Sequence, residues 1–427
     1  MGTSDTSLTA PAPPPPALPA TAPAPLGFAD LLAARHPLYD DKLRVVAYEL
    51  VLHSRDSAGR LLEGQGAGTP EQVHAVAQQL VGSRPVHVRV PRQKLLDGGT
   101  LALPPERIVL EVAANPGGDR PLVAALWELR AAGHTMVLRG TRWDTESVPL
   151  LQAASGVKMD VSALPAEELD FEVARLRRHH DGGLIASGVK SSEMLHACRG
   201  LGFSLFQGFH FLDARIPEDG DDCPNQAPRA RLLELLEAPG CTLEDAQRAI
   251  SFDMGLSYAL VRAVGSAFSS LPRKLHSVRD AAVLFGMEDL RRWVGLAVSA
   301  GVESRQPDGL TVAGLSRARM CEKLAHAYGE HDTDAFFTTG LFSIMDQIVD
   351  APMIQVLSSL PISEEIVAAI LNYQGVKGEA LRAALMWEEV NSGELIVPPG
   401  MTAGMMDDVY RESVSWAAAT VAGNWAY

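Results

Sequence analysis

The sequence predicts an α/β domain followed by an all-α domain: an incomplete or modified (β/α) barrel of the TIM type, then a bundle of helices. Three observations carry this reading. Between Leu43 and Leu212, short β-rich runs alternate with segments whose apolar residues recur every three or four positions. From Arg229 onward the strand signal almost disappears. Between the two lies PEDGDDCPNQAP, Pro217 to Pro228, an acidic Pro-containing run that reads as a linker.

The elements follow in order. TAPAPPPPALPATAPAP, Thr9 to Pro25, is low-complexity Pro/Ala sequence with no face to bury, so residues 1–26 are expected to form a mobile tail. LRVVAYELVLHS, PVHVRV, RIVLEVA, HTMVLRG, GVKMDVSAL, GGLIASGV and FSLFQGFHFL read as strands. PEQVHAVAQQLVGS, RPLVAALWELRAAG and AEELDFEVARLRRHH read as helices between them. Strand, helix, strand in repetition predicts parallel pairing. No Gly-rich phosphate fingerprint follows the first strand, so a barrel over residues 27–216 fits better than an open doubly wound sheet. After a linker at 217–228, residues 229–427 read as helical. Asp, Ser or Thr tends to stand near segment starts and Gly near their ends, as helix capping requires.

Composition excludes some functions. Hydrophobic residues make up 47% and charged residues 21%, the balance of a folded soluble protein. A net charge of -15 argues against charge-driven binding to nucleic acid polymers or anionic membranes. Cys198, Cys223, Cys241 and Cys321 are scattered without a CxxC pair or metal spacing, so they are expected to be reduced thiols. The first cationic residue is Arg35 and no apolar run is long enough to span a bilayer, so a cytoplasmic location is expected. MGTSDT matches the N-myristoylation pattern only formally.

In a parallel barrel the C-terminal strand ends converge on one mouth. Glu49, Glu111, Lys158, Asp160 and Gln207 occupy such positions, and so do Arg89 and Arg139. Acids of this kind hold divalent ions, whereas guanidinium groups repel an ion and pair with carboxylates or phosphates.

YELVLH, IVLEVA, VKMDVSAL, LIASGVK and FQGFHFL stand in the order of an EAL domain, the cyclic di-GMP phosphodiesterase fold. ARLLELLEAPG, ISFDMGLSYALVRAVGSAF, HSVRDAAVLFG, RARMCEKLA, GLFSIMD and ALMWEEV resemble an HDOD domain. Phe28 to Glu389 thus resembles the EAL–HDOD two-domain family of bacterial signalling proteins. The resemblance implies a metal-dependent site, from which this chain departs. Glu49 keeps the signature acid, but Leu50 and Val51 follow it, and His53 stands where a phosphate-binding Arg is expected. Arg89 replaces an asparagine ligand, Ala114 an acid beyond Glu111, and Arg139 with Gly140 the paired aspartates. Lys158 and Asp160 keep the KxD motif, Ser187 and Lys190 replace two glutamates, and Gln207 is retained.

These departures predict a chain that is not an enzyme, with no catalytic residue, no metal ligand and no cofactor. The remnant site, Glu49, Arg89, Glu111, Arg139, Lys158, Asp160 and Gln207, reads as a structural ion cluster or as a set of phosphate partners for cyclic di-GMP, the structural reading being preferred. The expected role is a protein-interaction adaptor in cyclic di-GMP signalling, with protein partners. A receptor for the nucleotide and a residual phosphodiesterase are the alternatives.

In the helical half, Ser343 and Ile344 replace the His–Asp pair of the related HD hydrolases. His180-Asp181 and His331-Asp332 read as solvated turns, the former within the charged run RRHHD. Phe285, Trp293 and Trp387 read as core, and Arg319 with Glu322 as a helical ion pair.

Overall fold

The structure is a computed structural model. It describes residues 31–55, 61–62, 69–98, 103–114, 119–208, 226–267, 274–299, 308–349, 351–388 and 396–422. The Pro/Ala tail, Cys223, the FHFL stretch and most of the linker expected at 217–228 lie outside these residues, although a helix already begins at Gln226.

Nine strands form one sheet: β1 (Leu31–Tyr39), β2 (Val45–Arg55), β3 (Leu61–Leu62), β4 (Val86–Arg89), β5 (Ile108–Ala113), β6 (Thr135–Arg139), β7 (Gly156–Asp160), β8 (Gly183–Ser187) and β9 (Leu205–Phe206). Their order is β1-β9-β8-β7-β6-β5-β4-β2-β3, and β1 pairs β2 as well, which closes eight strands into a barrel with β3 appended. The barrel is therefore modified rather than incomplete. From β2 through β9 the barrel strands run parallel, while β1 is antiparallel to both neighbours.

Sequence periodicity did not reveal β1, because LLAARHPLY is rich in helix formers and contains a proline. A local turn makes it a strand. Asp40 Oδ1 accepts from the backbone N–H groups of Lys42 at 2.9 Å and Arg44 at 2.8 Å, and Leu43 takes a positive φ of 60°. That turn folds β1 back on β2 with His36 opposite Glu49.

The strands alternate between two cores. Val86, Val88, Leu110, Val112, Leu138 and Leu184 face outward into the large core beneath the helices. Leu38, Ala47, Val137 and Ile185 pack with Val109 and Leu205 as a small apolar floor inside the barrel. Helices between strands start where capping allows: Thr69 accepts from Gln72 N and Gln72 returns the bond to Thr69 N, with Pro70 at the first helical position.

From Gln226 the described regular elements are helices apart from one isolated bridge, Leu275 to Ile362. The helix Val278–Ser299 is interrupted at Gly286, whose φ of 69° and ψ of 168° break the helical path. Trp387 is fully buried, and Phe285 and Trp293 are partly buried against the same core. His180 corrects the expectation of a solvated turn: it is 5% exposed, and its Nδ1 donates to the Leu151 carbonyl at 3.0 Å. Asp332 caps the helix Thr333–Phe342, accepting from Ala335 N. Among the described residues no helix is long and apolar enough to cross a membrane.

The two halves meet along β1. Its pairing with β9 is limited to Tyr39 and Phe206, so the edge from Leu31 to Leu38 lacks a strand partner on that side among the described residues. The helix Ala403–Val421 takes its place. Ala33 N donates to Asp407 Oδ1 at 3.2 Å, and Arg35 N donates to the Tyr410 hydroxyl at 3.1 Å. Pro37 falls next in this two-residue rhythm, so its missing N–H leaves no donor unsatisfied on the edge.

Asp407 also pairs with Arg411, both about 4% exposed. Removing one partner of a buried pair leaves an uncompensated charge. Asp407→Ala is expected to lower stability by about 3 kcal/mol, read as a lower urea midpoint; a change below about 0.5 kcal/mol, as at a surface site, would remove this clamp from the account.

Candidate functional site

The polar residues of the strands gather above the apolar floor because inward positions recur every second residue. β4 supplies His87 and Arg89, β5 Glu111, β6 Arg139, β7 Lys158 and β2 Glu49, with Gln207 from the segment after β9. Lys158 is the centre. Its Nζ lies 2.7 Å from Glu49 Oε2 and 2.9 Å from Glu111 Oε1, and all three side chains are about 1% exposed or less. Arg89 Nε donates to Glu49 Oε1, Arg139 Nε lies 3.3 Å from Glu111 Oε2, Gln207 Nε2 donates to Glu49 Oε2 at 2.8 Å, and His87 Nδ1 donates to Glu111 Oε1 at 3.0 Å.

Sequence-derived residues Glu49, Arg89, Glu111, Arg139, Lys158 and Gln207 thus meet in one cluster. Asp160 does not join it: exposed at the end of β7, it accepts from Ser162 N at 3.0 Å and Ser162 Oγ at 2.8 Å. Gly188, with φ +73°, packs against that carboxylate, where a Cβ would stand 2.6 Å from Asp160 Oδ1. Ser187 Oγ donates to the Met159 carbonyl, and Lys190 is exposed. The side chain of His53 lies outside the described residues.

Sequence reading missed His36 and His87. The alternation in VHVRV puts His87 on the same face as Arg89, which was a usable signal. His36 sits on the unread strand; it faces Glu49 across the β1–β2 pairing, and its Nε2 donates to the Glu388 carbonyl of the helical half at 3.0 Å. In that half Arg317 pairs with Glu388 at 2.8 Å and donates to Ser343 Oγ at 3.0 Å, while Arg319 pairs with Glu322 at 2.6 Å as expected.

Burial pushes the Glu49 carboxyl up, but Lys158, Arg89 and His36 outweigh it and hold the group well below the carboxylate range. Glu111 behaves likewise: burial raises it, Lys158 lowers it, the Glu49 charge raises it and His87 lowers it, with a net decrease. Burial depresses His36 more than Glu49 and the Glu388 carbonyl raise it. Lys158, Arg89 and Arg139 therefore face two carboxylates, leaving one formal positive charge in excess.

The pair of divalent ions that the EAL resemblance implies does not fit these residues. Both acids are already covered by Lys158 and the two arginines, and among the described residues no three His, Cys, Asp or Glu side chains converge as metal ligands.

Lys158→Met leaves two carboxylates facing each other in the barrel and is expected to cost about 3–5 kcal/mol, with part of the loss recovered when Glu49→Gln is added; urea denaturation of both variants measures this. Acid is expected to destabilise the fold in two stages. The folded pKa of His36 lies below its ordinary 6.5 and those of Glu49 and Glu111 below 4.5, so the unfolded chain binds more protons as pH falls. The melting temperature should hold above pH 7, decline below about 6.5 and drop further below about 4.5; His36→Gln should reduce the first decline, to which His134 and His180, also lowered by burial, contribute the rest.

The HDOD domain profile matches residues 226–369. Across both halves, the chain is 25% identical over 365 residues to the Vibrio cholerae protein named cyclic di-GMP phosphodiesterase CdgJ, covering 82% of each. It is 23% identical to the uncharacterised protein YuxH of Bacillus subtilis over 84% of this chain and 91% of that one. Among solved structures, the Bacillus subtilis YkuI protein with an EAL domain, in complex with cyclic di-GMP and calcium, aligns over 42% of this chain at 16% identity and a TM-score of 0.34. The chain spans about half, 54%, of that protein's length. Klebsiella pneumoniae BlrP1 in a manganese and cyclic di-GMP complex aligns over 44% of this chain and 57% of that one, at 20% identity and a TM-score of 0.35.

These findings correct one expectation. The chain was expected not to be an enzyme, yet a relative sharing both halves carries the name of a phosphodiesterase. Replacements such as Arg89 and Arg139 are therefore no ground for reading the chain as inactive. The chain thus carries an HDOD domain at residues 226–369 behind a closed barrel, and across both halves it resembles the EAL–HDOD two-domain proteins of cyclic di-GMP signalling.

Proposed function

We propose that this chain acts in cytoplasmic cyclic di-GMP signalling by binding the dinucleotide at its barrel mouth through Arg89 and Arg139. One observation carries the reading. The two guanidinium groups are about one-third exposed, 36% and 33%, and each engages its carboxylate through Nε. Their terminal N–H groups have no other hydrogen bond among the described residues and remain available for a phosphate oxygen. Guanidinium forks suit phosphates as well as carboxylates. The excess positive charge of the cluster favours an anion, and Gln207 and Lys158 hold Glu49 beneath it rather than beside the entrance.

Hydrolysis of the bound nucleotide is a second reading, favoured by the name of the Vibrio cholerae relative. The helical half would carry the response to protein partners, and exposed apolar side chains at Val283 (54%), Leu284 (41%) and Leu296 (72%) support that part.

Calorimetric titration of the full chain with cyclic di-GMP tests the main reading. Saturable binding is expected with EDTA present as well as with magnesium, and Arg89→Ala combined with Arg139→Ala should weaken it at least about tenfold, the value of one charge-assisted hydrogen bond. A flat titration of the folded wild type overturns it. Chromatography of the nucleotide afterwards decides hydrolysis, since a linear dinucleotide appears only if the ring has been opened.

A further inference from the structure

A second cavity, of about 460 Å³, lies at the seam between the two halves. Strands β1 and β2 contribute Arg35, Tyr39 and Tyr48, and the opposite wall comes from the helices Asp308–Leu324, Gly375–Glu388 and Ala403–Val421. None of the six clustered mouth residues lines it. Its volume falls within the range of small-molecule sites.

Three features define what it would take. Ser316 lines the cavity, is 3% exposed, and its Oγ has no hydrogen-bond partner among the described residues. A buried hydroxyl left unpaired is costly, and a polar ligand atom in the cavity removes that cost. Arg382, also in the lining, is exposed, with no ion pair or hydrogen bond among the described residues. With Arg35 and Arg317 it gives the lining three cations against the acids Asp346 and Glu388. Flat aromatic surface completes the set. Tyr48 carries the Arg35 guanidinium 4.7 Å from its ring centroid, and Tyr373 is 45% exposed at the cavity on a backbone with φ 54°. That left-handed backbone is the C-cap of the helix Glu364–Asn372, and it fixes the ring's position at the rim of the cavity.

An unpaired guanidinium, an exposed ring and an orphaned hydroxyl form a set that matches phosphate, base and sugar or base edge. We propose that the interdomain cavity binds a nucleoside monophosphate. Arg382 holds the phosphate, Tyr373 stacks on the base, and Ser316 bonds a polar atom of the buried end. The site lies apart from the mouth and does not depend on cyclic di-GMP binding there.

Titration of the full-length protein with GMP and AMP, and with guanosine and inorganic phosphate as partial probes, tests this. Saturable binding of at least one nucleoside monophosphate is expected, with each partial probe at least about tenfold weaker. Arg382→Ala should weaken nucleotide binding about tenfold. Ala313→Phe, which fills the cavity, should abolish it while leaving cyclic di-GMP binding at the mouth unchanged. No nucleotide binding at millimolar concentration, equal binding of inorganic phosphate alone, or unchanged nucleotide binding in Ala313→Phe would each overturn the proposal. Should Ala313→Phe fail to fold by circular dichroism, Arg382→Ala decides, since its exposed side chain bears no packing load; unchanged binding there also overturns the proposal.

Discussion

Lys158 is the constraint on which the barrel interior depends. A barrel of eight strands is just wide enough to be filled by side chains, and here the layer above the floor is filled with charge. Two carboxylates at this depth would each be expensive alone and repulsive together. One ammonium between them, at 2.7 and 2.9 Å, makes both tolerable. Arg89, Arg139, His87 and Gln207 then satisfy the remaining oxygens. The same arrangement places guanidinium groups, rather than carboxylates, at the entrance, so the electrostatics of the mouth follow from how the interior is neutralised.

Much of this was legible in the sequence, and the failures have physical causes. β2 and the strands from β4 to β9 appear as short alternating or apolar runs because parallel barrel strands are packed on both faces. Their inward positions could therefore be read from spacing alone, and the gathering of Glu49, Arg89, Glu111, Arg139, Lys158 and Gln207 follows from that spacing. Asp160 has the same spacing but turns to the backbone beyond its strand, a local competition that periodicity does not register. β1 was not legible, because its composition favours helix and only the Asp40 turn and the pairing with β2 make it a strand. The error carried further: with β1 unread, His36 and every contact between the halves were unread too. His180 illustrates another limit, since a charged neighbourhood in sequence says little about a ring that turns inward to the Leu151 carbonyl of the preceding helix.

The seam joins two polar systems that the sequence presents as unrelated. His36 faces Glu49 on one side and donates to the Glu388 carbonyl on the other, and the Glu388 carboxylate pairs with Arg317, which reaches Ser343. Ser343 stands where the resemblance to HD hydrolases would place a catalytic pair. His36 therefore stands between the two systems, influencing Glu49 through space and bonded to the Glu388 carbonyl, so the charges of the barrel interior and of the HDOD domain meet at one residue.

The clamp between Ala33 and Asp407 spans 374 residues of chain. During synthesis at about 5–20 residues per second, the helix that covers the open edge of β1 emerges roughly 20 to 75 s after the strand itself. Throughout that interval the nascent barrel exposes unpaired N–H groups along an edge of the kind that recruits other strands. A trigger-type chaperone that shields the first half until the last helix arrives would thus matter more for this protein than for a barrel whose closing strand lies next to its first.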